Sequence, residues 1–286
     1  MSKKILVVGA TGNIGRTLVN LLAEKGESVK AATRHPETYQ AHANVEAVAF
    51  DYDQPESYGP ALAKADRLFL LPKAGDPEAD KTLIALIERA KQEGWVGHIV
   101  LLTAMGVDQA DENLGLRRAE LHLINSGIAY TILRPNWFIQ NFAGGFILPS
   151  IKAMGGIYLP AGDAKTSFID TRDIAAVAAE AFTDDRHWNK EYTLTGGEAL
   201  SYQEAAAIVS EVAGRTIPYA SISEDDARVG LSRMGWPAVQ IDFMLQLFGA
   251  VRQGWTAAIS PVVAEILGEE AKTLKQFAEE NAAVWK

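Results

Sequence analysis

The sequence predicts an α/β fold, in which a doubly wound parallel sheet carries a smaller interleaved α+β lobe. Three observations support this class. Short apolar segments alternate with helical segments up to Arg134, the apolar segments are continuous, and a glycine-rich motif follows the first of them. Continuous apolar strands are expected where helices cover both faces of a parallel sheet. Strand–helix alternation predicts repeated βαβ units.

Six strands are predicted in this first part of the chain. They are Lys4–Val8, Ser28–Thr33, Val45–Phe50, Arg67–Leu71, His98–Thr103 and Ala129–Arg134. The helical segments between them include Asn13–Lys25 and Asp76–Gln92. Because helical segments lie between most of the strands, the connections fit crossovers between parallel neighbours.

The pattern becomes less regular after Arg134. It predicts helices over Asn136–Ala153, over Thr171–Phe182 and from Ser201, short strands over Glu191–Thr195 and Ile217–Ser221, and mostly helix from Ser223 onward. Ser201 and Glu204 have the spacing of a capping box. We expect a dinucleotide-binding core over residues 1–135, to which residues 165–195 return. Residues 136–164 and 196–286 would form the smaller substrate lobe of one structural unit.

Composition and charge exclude several kinds of site. The 286 residues carry a formal charge of −9, which disfavours nucleic acid as a partner. There is no cysteine, so disulfides and thiolate metal sites are excluded. No apolar run is long enough to span a membrane, and the few residues before the first strand are too short for a signal peptide. A cytoplasmic monomer or homodimer is the expectation.

A glycine triplet marks the first turn. Gly9, Gly12 and Gly15 follow the first strand and open the first helix. In a Rossmann-type βαβ unit these positions allow a sharp turn, close approach of a pyrophosphate, and tight helix packing. The alternative is a tight turn without a ligand, but the strand–turn–helix context favours dinucleotide binding.

The end of the second strand indicates which dinucleotide is preferred. An NAD site usually has Asp or Glu there to bind the ribose hydroxyls. This chain has Thr33, Arg34 and His35 instead. A guanidinium suits a 2′-phosphate, so NADP(H) is preferred over NAD(H). The alternative is an Arg that is merely solvated at a strand end.

No catalytic acid or base can be assigned. None of the eight tyrosines has a Lys four residues later, the spacing that many reductases of this architecture use on a helix. Tyr130 and Arg134 come nearest, but on a strand they would lie about 13 Å apart. The five histidines lack metal-ligand spacing, so no metal is expected, and His98 is interpreted as structural.

The order of motifs resembles the NmrA-like branch of the atypical short-chain dehydrogenases/reductases. The resemblance lies in GATGNIG, ATRHPE, FDYDQPES, ILRPNWFIQNF, SFIDTRDIAAVAAEAF and YTLTGGEALSYQEAAAIVSEVAGR. Within that branch the chain is most similar to NAD(P)H-dependent quinone, azo-dye and triphenylmethane-dye reductases. The likeness covers residues 3–220, and residues 222–286 are less diagnostic.

The resemblance implies specific site residues. Cofactor contacts would come from Gly9, Thr11, Gly12, Asn13, Ile14, Gly15, Arg34, Asp51, Tyr52, Leu70, Leu71, Pro72, Thr103, Pro135 and Trp137. Substrate contacts would come from Asn136, Phe138, Asn141 and Phe142, with Asn136 also flanking the nicotinamide. Leu116 takes the usual Tyr position and Glu120 the usual Lys position. We expect Glu120 to be a helix-surface group beside solvated Arg117 and Arg118.

Two functions from different classes follow. The first is hydride transfer to a quinone or similar small aromatic electrophile, which needs little help from a general acid. The second is a redox sensor that binds NADP(H) without turnover. An epimerase is disfavoured by the missing Tyr–Lys pair. The aromatic segment over residues 236–255 could cover a substrate, although its helical spacing favours ordinary packing.

Overall fold

The computed structural model describes residues 4–40, 43–73, 76, 78–113 and 115–286. Over these ranges the strands are β1 (Lys4–Val7), β2 (Ser28–Thr33), β3 (Val45–Ala49), β4 (Arg67–Leu70), β5 (His98–Leu102), β6 (Ala129–Pro135), β7 (Ile157–Leu159), β8 (Lys165–Thr166), β9 (Lys190–Leu194), β10 (Leu200–Ser201) and β11 (Tyr219–Ser221). The α-helices are α1 (Asn13–Glu24), α2 (Tyr58–Leu62), α3 (Ala79–Glu93), α4 (Gly115–Ile124), α5 (Leu148–Met154), α6 (Thr171–Thr183), α7 (Tyr202–Ala213), α8 (Glu224–Arg233), α9 (Ala238–Arg252), α10 (Val262–Leu267) and α11 (Leu274–Glu280).

The main sheet confirms the predicted fold class. Its strand order is β3-β2-β1-β4-β5-β6-β9, and the first six strands pair in parallel. The six predicted strands all occur, with bounds shifted by a residue or so at their carboxyl ends. From β1 the chain adds β2 and β3 on one side of the sheet. It then returns to the centre and adds β4, β5 and β6 on the other side. The carboxyl ends of β1 and β4 therefore flank the switch point, where doubly wound sheets bind their ligands.

The chain groups into two compact units. The first comprises residues 1–135 and 172–193, and the second comprises residues 136–171 and 194–286. In the first unit, fully buried strand residues such as Leu6, Leu68 and Ile99 pack with Leu83 and Leu123 in one apolar cluster. Burial of these side chains drives the sheet and its helices together, at about 1.5–3 kcal/mol for each large side chain.

The second unit has its own core and two small sheets. β10 pairs antiparallel with β8, and β11 pairs in parallel with β7. The predicted capping box begins α7: the Glu204 amide donates to Ser201 Oγ at 3.2 Å, and the Ser201 amide donates to Glu204 Oε2 at 2.7 Å. The helices that follow Ser223 are also as predicted. None of the helices in the described ranges combines the length and apolar character needed to cross a bilayer.

One predicted helix is wrong, and another is shortened. Residues 136–153 do not form a continuous helix, because Phe138 is extended and forms a parallel bridge with Ile169. Only a short 3-10 turn over 139–142 and α5 are helical there, with Gly144 and Gly145 between them. Backbone pairing has overridden the helical spacing of the side chains. The helix predicted from Asp76 begins at Ala79, and Pro77 lies outside the described residues.

Candidate functional site

The glycine-rich loop reverses the chain at the carboxyl end of β1. Gly9 has a φ of +72°, a conformation that glycine adopts without steric penalty. A Cβ there would lie 3.0 Å from Leu71 Cδ2, so the loop also packs closely against the residue that follows β4. The Gly12 amide donates to the Gly9 carbonyl at 2.9 Å and closes the turn. This geometry brings the loop and the end of β4 together at the switch point.

Gly15 fixes how α1 meets the loop. A Cβ at this position would lie 2.2 Å from the Gly9 carbonyl oxygen and 2.7 Å from the Gly9 carbonyl carbon. Both are backbone atoms, so no side-chain rotation could relieve the overlap. The first turn of α1 is therefore held directly against the reversal of the chain.

The amino end of α1 is open for an anion. Gly12 is its N-cap, no side chain caps the helix, and its first turn carries no acidic residue. Thr11, Gly12 and Asn13 are exposed, whereas Ile14 is buried and anchors the turn. The first amides of a helix have no acceptor within it, and the helix dipole adds positive potential there. The loop and helix together meet the requirements of a phosphate cradle.

Arg34 lies just beyond β2 and is exposed. Its neighbour His35 donates its amide to Thr33 Oγ1 at 3.2 Å, which turns the chain as it leaves the strand. Within the described part of the chain, Arg34 forms no ion pair. Its guanidinium is thus available to an anionic ligand, as the predicted 2′-phosphate contact requires.

Tyr52 ties the loop after β3 to the end of β4. Its hydroxyl donates to the Leu71 carbonyl, and burial raises its pKa above the ordinary value. Asp51 turns the preceding chain, because its Oδ1 accepts the amide of Asp53 at 3.0 Å. Leu70 is fully buried, while Leu71 and Pro72 are partly exposed. The structure therefore gathers Asp51, Tyr52 and Leu71 with the glycine loop in one region.

Thr103 leads into a buried ionic network. Its Oγ donates to Glu120 Oε1 at 2.7 Å, and both residues are buried. Arg134 donates two hydrogen bonds to the same carboxylate, from Nε to Oε1 at 2.9 Å and from Nη2 to Oε2 at 2.8 Å. Glu191 and Arg117 complete the network by pairing with Arg134 and Glu120 respectively. Because the one proton of the Thr103 hydroxyl is directed at Glu120, that oxygen can only accept a further hydrogen bond.

The network corrects our expectation for the helix before β6. Glu120 is fully buried rather than a surface group, and Arg117 is largely buried beside it. Arg118 is half-exposed but pairs with buried Asp80 of α3, so it is not simply solvated. Although burial opposes ionisation of Arg134, its hydrogen bonds with Glu120 and Glu191 raise the pKa of Arg134 above the ordinary value. Arg134 is therefore a permanent cation inside the first unit.

Hydrogen bonds hold the chain in place at the end of β6 and directly after it. The Pro135 carbonyl, at the end of β6, accepts the amide of Met105 at 3.0 Å. Asn136 is buried, and its amide donates to Ser167 Oγ and to the Thr256 carbonyl, each at 2.8 Å. Asn136 is thus engaged in holding the second unit together.

The remaining substrate candidates differ in burial. Phe142 is fully buried in the core of the second unit, where its ring meets Phe168 edge to face. Phe138 and Asn141 are partly exposed. Burial weighs against a direct substrate role for Phe142 and leaves Phe138 and Asn141 as the accessible candidates.

Aromatic packing surrounds Trp137. Its indole stacks on Phe248 of α9 with ring centroids 5.2 Å apart, and Phe146 lies 5.9 Å away. One face of α9 is buried at Ile241, Leu245, Phe248 and Val251, the packing role that helical spacing favours. Val239, Phe243 and the following Trp255 are exposed, so the segment also has an uncovered apolar side.

Comparison with known proteins identifies the family of the chain and proteins of similar fold. The family model described as the NmrA-like family matches residues 1–278. An NAD(P)H azoreductase from Xenophilus azovorans is 34% identical over 98% of this chain and 99% of its own. The structure of the Escherichia coli NADPH-dependent quinone oxidoreductase QOR2 complexed with NADPH has a TM-score of 0.85 and 25% identity, over 96% of this chain and 99% of its own.

A third relative supports the fold alone. The Citrobacter triphenylmethane reductase complexed with NADP(H) has a TM-score of 0.84 at 24% identity, over 97% of this chain and 99% of its own. The family-model match, the relative of more than 30% identity and the glycine-loop geometry lead to one assignment. This chain belongs to the NmrA-like family and, with it, to a family of NAD(P)H-dependent oxidoreductases.

Proposed function

We propose that the protein is an NADPH-dependent reductase that transfers a hydride to a quinone or a similar aromatic electrophile. The observation that carries this proposal is the hydrogen bond from Thr103 to buried Glu120. The resemblance places Leu116 where a ketone reductase keeps its Tyr proton donor, and a leucine side chain has no acidic proton. The Thr103 hydroxyl directs its own proton at Glu120. A reaction that needs no strong acid suits such a site.

The described residues fit the dinucleotide. The amides at the start of α1 would hold the pyrophosphate, together with Gly9, Thr11, Gly12, Asn13, Ile14 and Gly15. Arg34 would bind the 2′-phosphate, Asp51 and Tyr52 would lie beside the adenine, and Leu70, Leu71 and Pro72 would support the ribose. Two observations support this fit. The first turn of α1 has no side-chain cap and no acidic residue, and the loop at Gly9 and Gly15 is too closely packed to hold a Cβ without shifting.

Thr103 and its network would orient the reacting end of the cofactor. When bound, the nicotinamide supplies the hydride. The Thr103 oxygen would accept a hydrogen bond from the carboxamide N–H, while Glu120 holds that oxygen in place and Arg134 neutralises the buried carboxylate. Pro135 and Trp137 would provide apolar contacts to the ring. Phe138 and Asn141 would contact the acceptor, one with a ring face and one with an amide.

The choice of acceptor follows from charge. A quinone that accepts hydride becomes a delocalised phenolate, which water can protonate. A simple ketone would become a localised alkoxide, which is stabilised much better by a positioned acid. A positioned acid typically contributes a factor of about 10² to 10⁴ in rate. We therefore expect quinones to be reduced at least about 100-fold faster than ketones of similar size.

Steady-state oxidation of NADPH against an acceptor panel tests the proposal. The panel would contain benzoquinones, naphthoquinones, an azo dye, a cationic triphenylmethane dye and matched simple ketones. Turnover with the quinones and little with the ketones is the expected result. If NADPH binds tightly and no acceptor is reduced above background, the protein is better explained as a redox sensor that controls a partner through its bound NADP(H).

The preference for NADPH is tested at Arg34. The Arg34→Ala substitution should weaken NADPH binding by about 10- to 100-fold, because a charge-assisted contact with the 2′-phosphate is lost. The affinity for NADH, which lacks that phosphate, should change by less than about twofold. Arg233→Ala, on an exposed helix end of the second unit, is the matched control. Calorimetry with both dinucleotides measures the effect, and equal losses for NADPH and NADH would contradict the assignment.

A further inference from the structure

A second concave site lies at the amino ends of the strands, opposite the glycine loop. This amino-end cleft has a volume of about 1010 Å³. It is lined by residues at the starts of β2, β4 and β5, by the end of α6, and by Trp95 and Trp188. All of these lie within the first unit. The volume is at the upper end of the range for small-molecule sites.

The cleft carries an excess of negative charge. Five carboxylates line it: Glu27, Asp66, Glu180, Asp184 and Asp185. Among the described residues, three cations pair with these carboxylates. Arg67 pairs with Glu27 at 2.6 Å, Lys25 with Glu180 at 2.8 Å, and Arg186 with Asp184 at 2.5 Å. The cleft therefore favours a cationic ligand over an anionic one.

His98 supplies an independent sign of a ligand. Its side chain is only 1% exposed, and its Nε2 lies 2.9 Å from Thr131 Oγ1. The Thr131 hydroxyl donates to the His187 carbonyl at 2.7 Å, so it must accept from His98, and Nε2 carries the proton. Nδ1 is then an acceptor. Among the described residues it has no hydrogen-bond partner, and the ring lines the cleft.

A second buried acceptor lies in the same cleft. Asp66 Oδ1 also lacks a hydrogen-bond partner within the described residues, although Asp66 Oδ2 lies 3.4 Å from Arg67 Nε. The backbone fixes this residue, because the Asp66 amide donates to the Lys4 carbonyl at 3.0 Å. Buried acceptors without donors are rare in folded proteins. Within the described residues the cleft holds two of them and one buried donor without a hydrogen-bond partner, Arg67 Nε, so acceptors are in excess and a ligand that carries N–H groups fits.

Aromatic rings complete the cleft. Trp188 stacks on His98 with centroids 5.3 Å apart, and Phe182 meets the same imidazole edge to face at 5.7 Å. Trp95 and Trp188 are 45% and 43% exposed, which is unusual for such large apolar side chains. Exposed indole faces attract organic cations and cover their apolar parts.

We infer that the amino-end cleft binds a small organic ammonium ion that carries N–H donors and an apolar or aromatic body. The ammonium group donates to His98 Nδ1 and Asp66 Oδ1, the surplus carboxylates compensate its charge, and the indoles of Trp95 and Trp188 flank its body. This site is separate from the proposed dinucleotide site, which lies at the opposite ends of the strands. Its occupancy does not depend on the proposed reductase activity.

Three related probes test this inference by calorimetry. Phenethylammonium has the charge, the ring and the N–H donors, phenethyltrimethylammonium lacks the donors, and phenethyl alcohol lacks the charge. Phenethylammonium should bind at least about tenfold more tightly than the other two, because its charged donors meet buried acceptors. Its binding should be the same with and without saturating NADPH. Equal binding of the two cations, or loss of binding when NADPH is added, would overturn the inference.

Variants and a spectroscopic signal locate the probe. Asp66→Asn should weaken phenethylammonium binding by about tenfold or more, while Asp163→Asn, at an exposed carboxylate of the second unit, should leave it unchanged. If Asp66→Asn does not fold, nitrogen NMR of the histidine rings in the unaltered protein decides. The Nδ1 resonance of His98 should shift on saturation with phenethylammonium. An unchanged resonance would contradict the contact with His98 Nδ1 and overturn the inference.

Discussion

Replacing Glu120 with glutamine is expected to destabilise the protein by about 3–5 kcal/mol, because the change leaves Arg134 buried with too little compensating charge. Arg134 is only 4% exposed, and its other carboxylate partner, Glu191, is partly exposed. Glutamine keeps the size of the side chain and part of its hydrogen bonding, so the loss reports on charge. Urea denaturation should show a lower midpoint with an unchanged slope.

Two further variants separate this cause from general disruption. Glu191→Gln removes the partly exposed member of the same network and should destabilise the protein much less. The double variant Glu120→Met with Arg134→Met replaces the buried pair with apolar side chains and should recover much of the lost stability. If Glu120→Gln changes the free energy of unfolding by less than about 0.5 kcal/mol, the buried network is not the structural element that we describe.

Replacing Gly15 with alanine is expected to weaken NADPH binding by more than about 100-fold, even in molecules that remain folded. The new Cβ would lie 2.2 Å from the Gly9 carbonyl oxygen, so either the loop or α1 must move. Such overpacking typically costs about 1–3 kcal/mol in stability. The displacement also separates the helix amides from the loop that is proposed to hold the pyrophosphate with them.

The control for this prediction is another glycine-to-alanine change in a helix. Gly230 lies within α8, has no heavy atom within 4 Å of its ideal Cβ position, and has no left-handed φ. Gly230→Ala should leave NADPH binding unchanged and stabilise the helix by up to about 1 kcal/mol. Calorimetry with NADPH, together with a thermal melt of each variant, measures both effects. Near-normal affinity in Gly15→Ala would contradict the role that we give to this loop.

The sheet could be predicted because its signals are local. Continuous apolar strands and the glycine loop specify βαβ units, and the structure shows the same strands in the expected parallel sheet. The segment after β6 could not be predicted in the same way. Its side chains have helical spacing, but Phe138 is extended because its backbone pairs with Ile169. This is a long-range contact that no local pattern reveals.

The buried network differs from the expectation for a different reason. A charged helix residue is expected at the surface, yet Glu120 lies on the same face of α4 as Ala119 and Leu123, which are both buried. That helical spacing indicates a buried carboxylate. Arg134 lies within the apolar strand segment TILRP, and this position likewise indicates a buried cation. A charged residue on an apolar face needs a partner of opposite charge, because neither charge is stable alone in the core. The positions of Glu120 and Arg134 therefore predict that the two residues pair.

The most direct test of hydride transfer without a strong enzyme acid is a single-turnover measurement with a quinone over a range of pH. Enzyme saturated with NADPH is mixed with a naphthoquinone, and NADPH oxidation is followed between about pH 6 and pH 9, a range in which a typical enzyme acid would titrate. We predict a rate that is independent of pH, is slowed by deuterium at the transferred position of NADPH, and is unaffected by deuterated solvent. A rate that falls as a single group loses its proton, together with a solvent isotope effect, would show that the enzyme supplies an acid and would contradict this account.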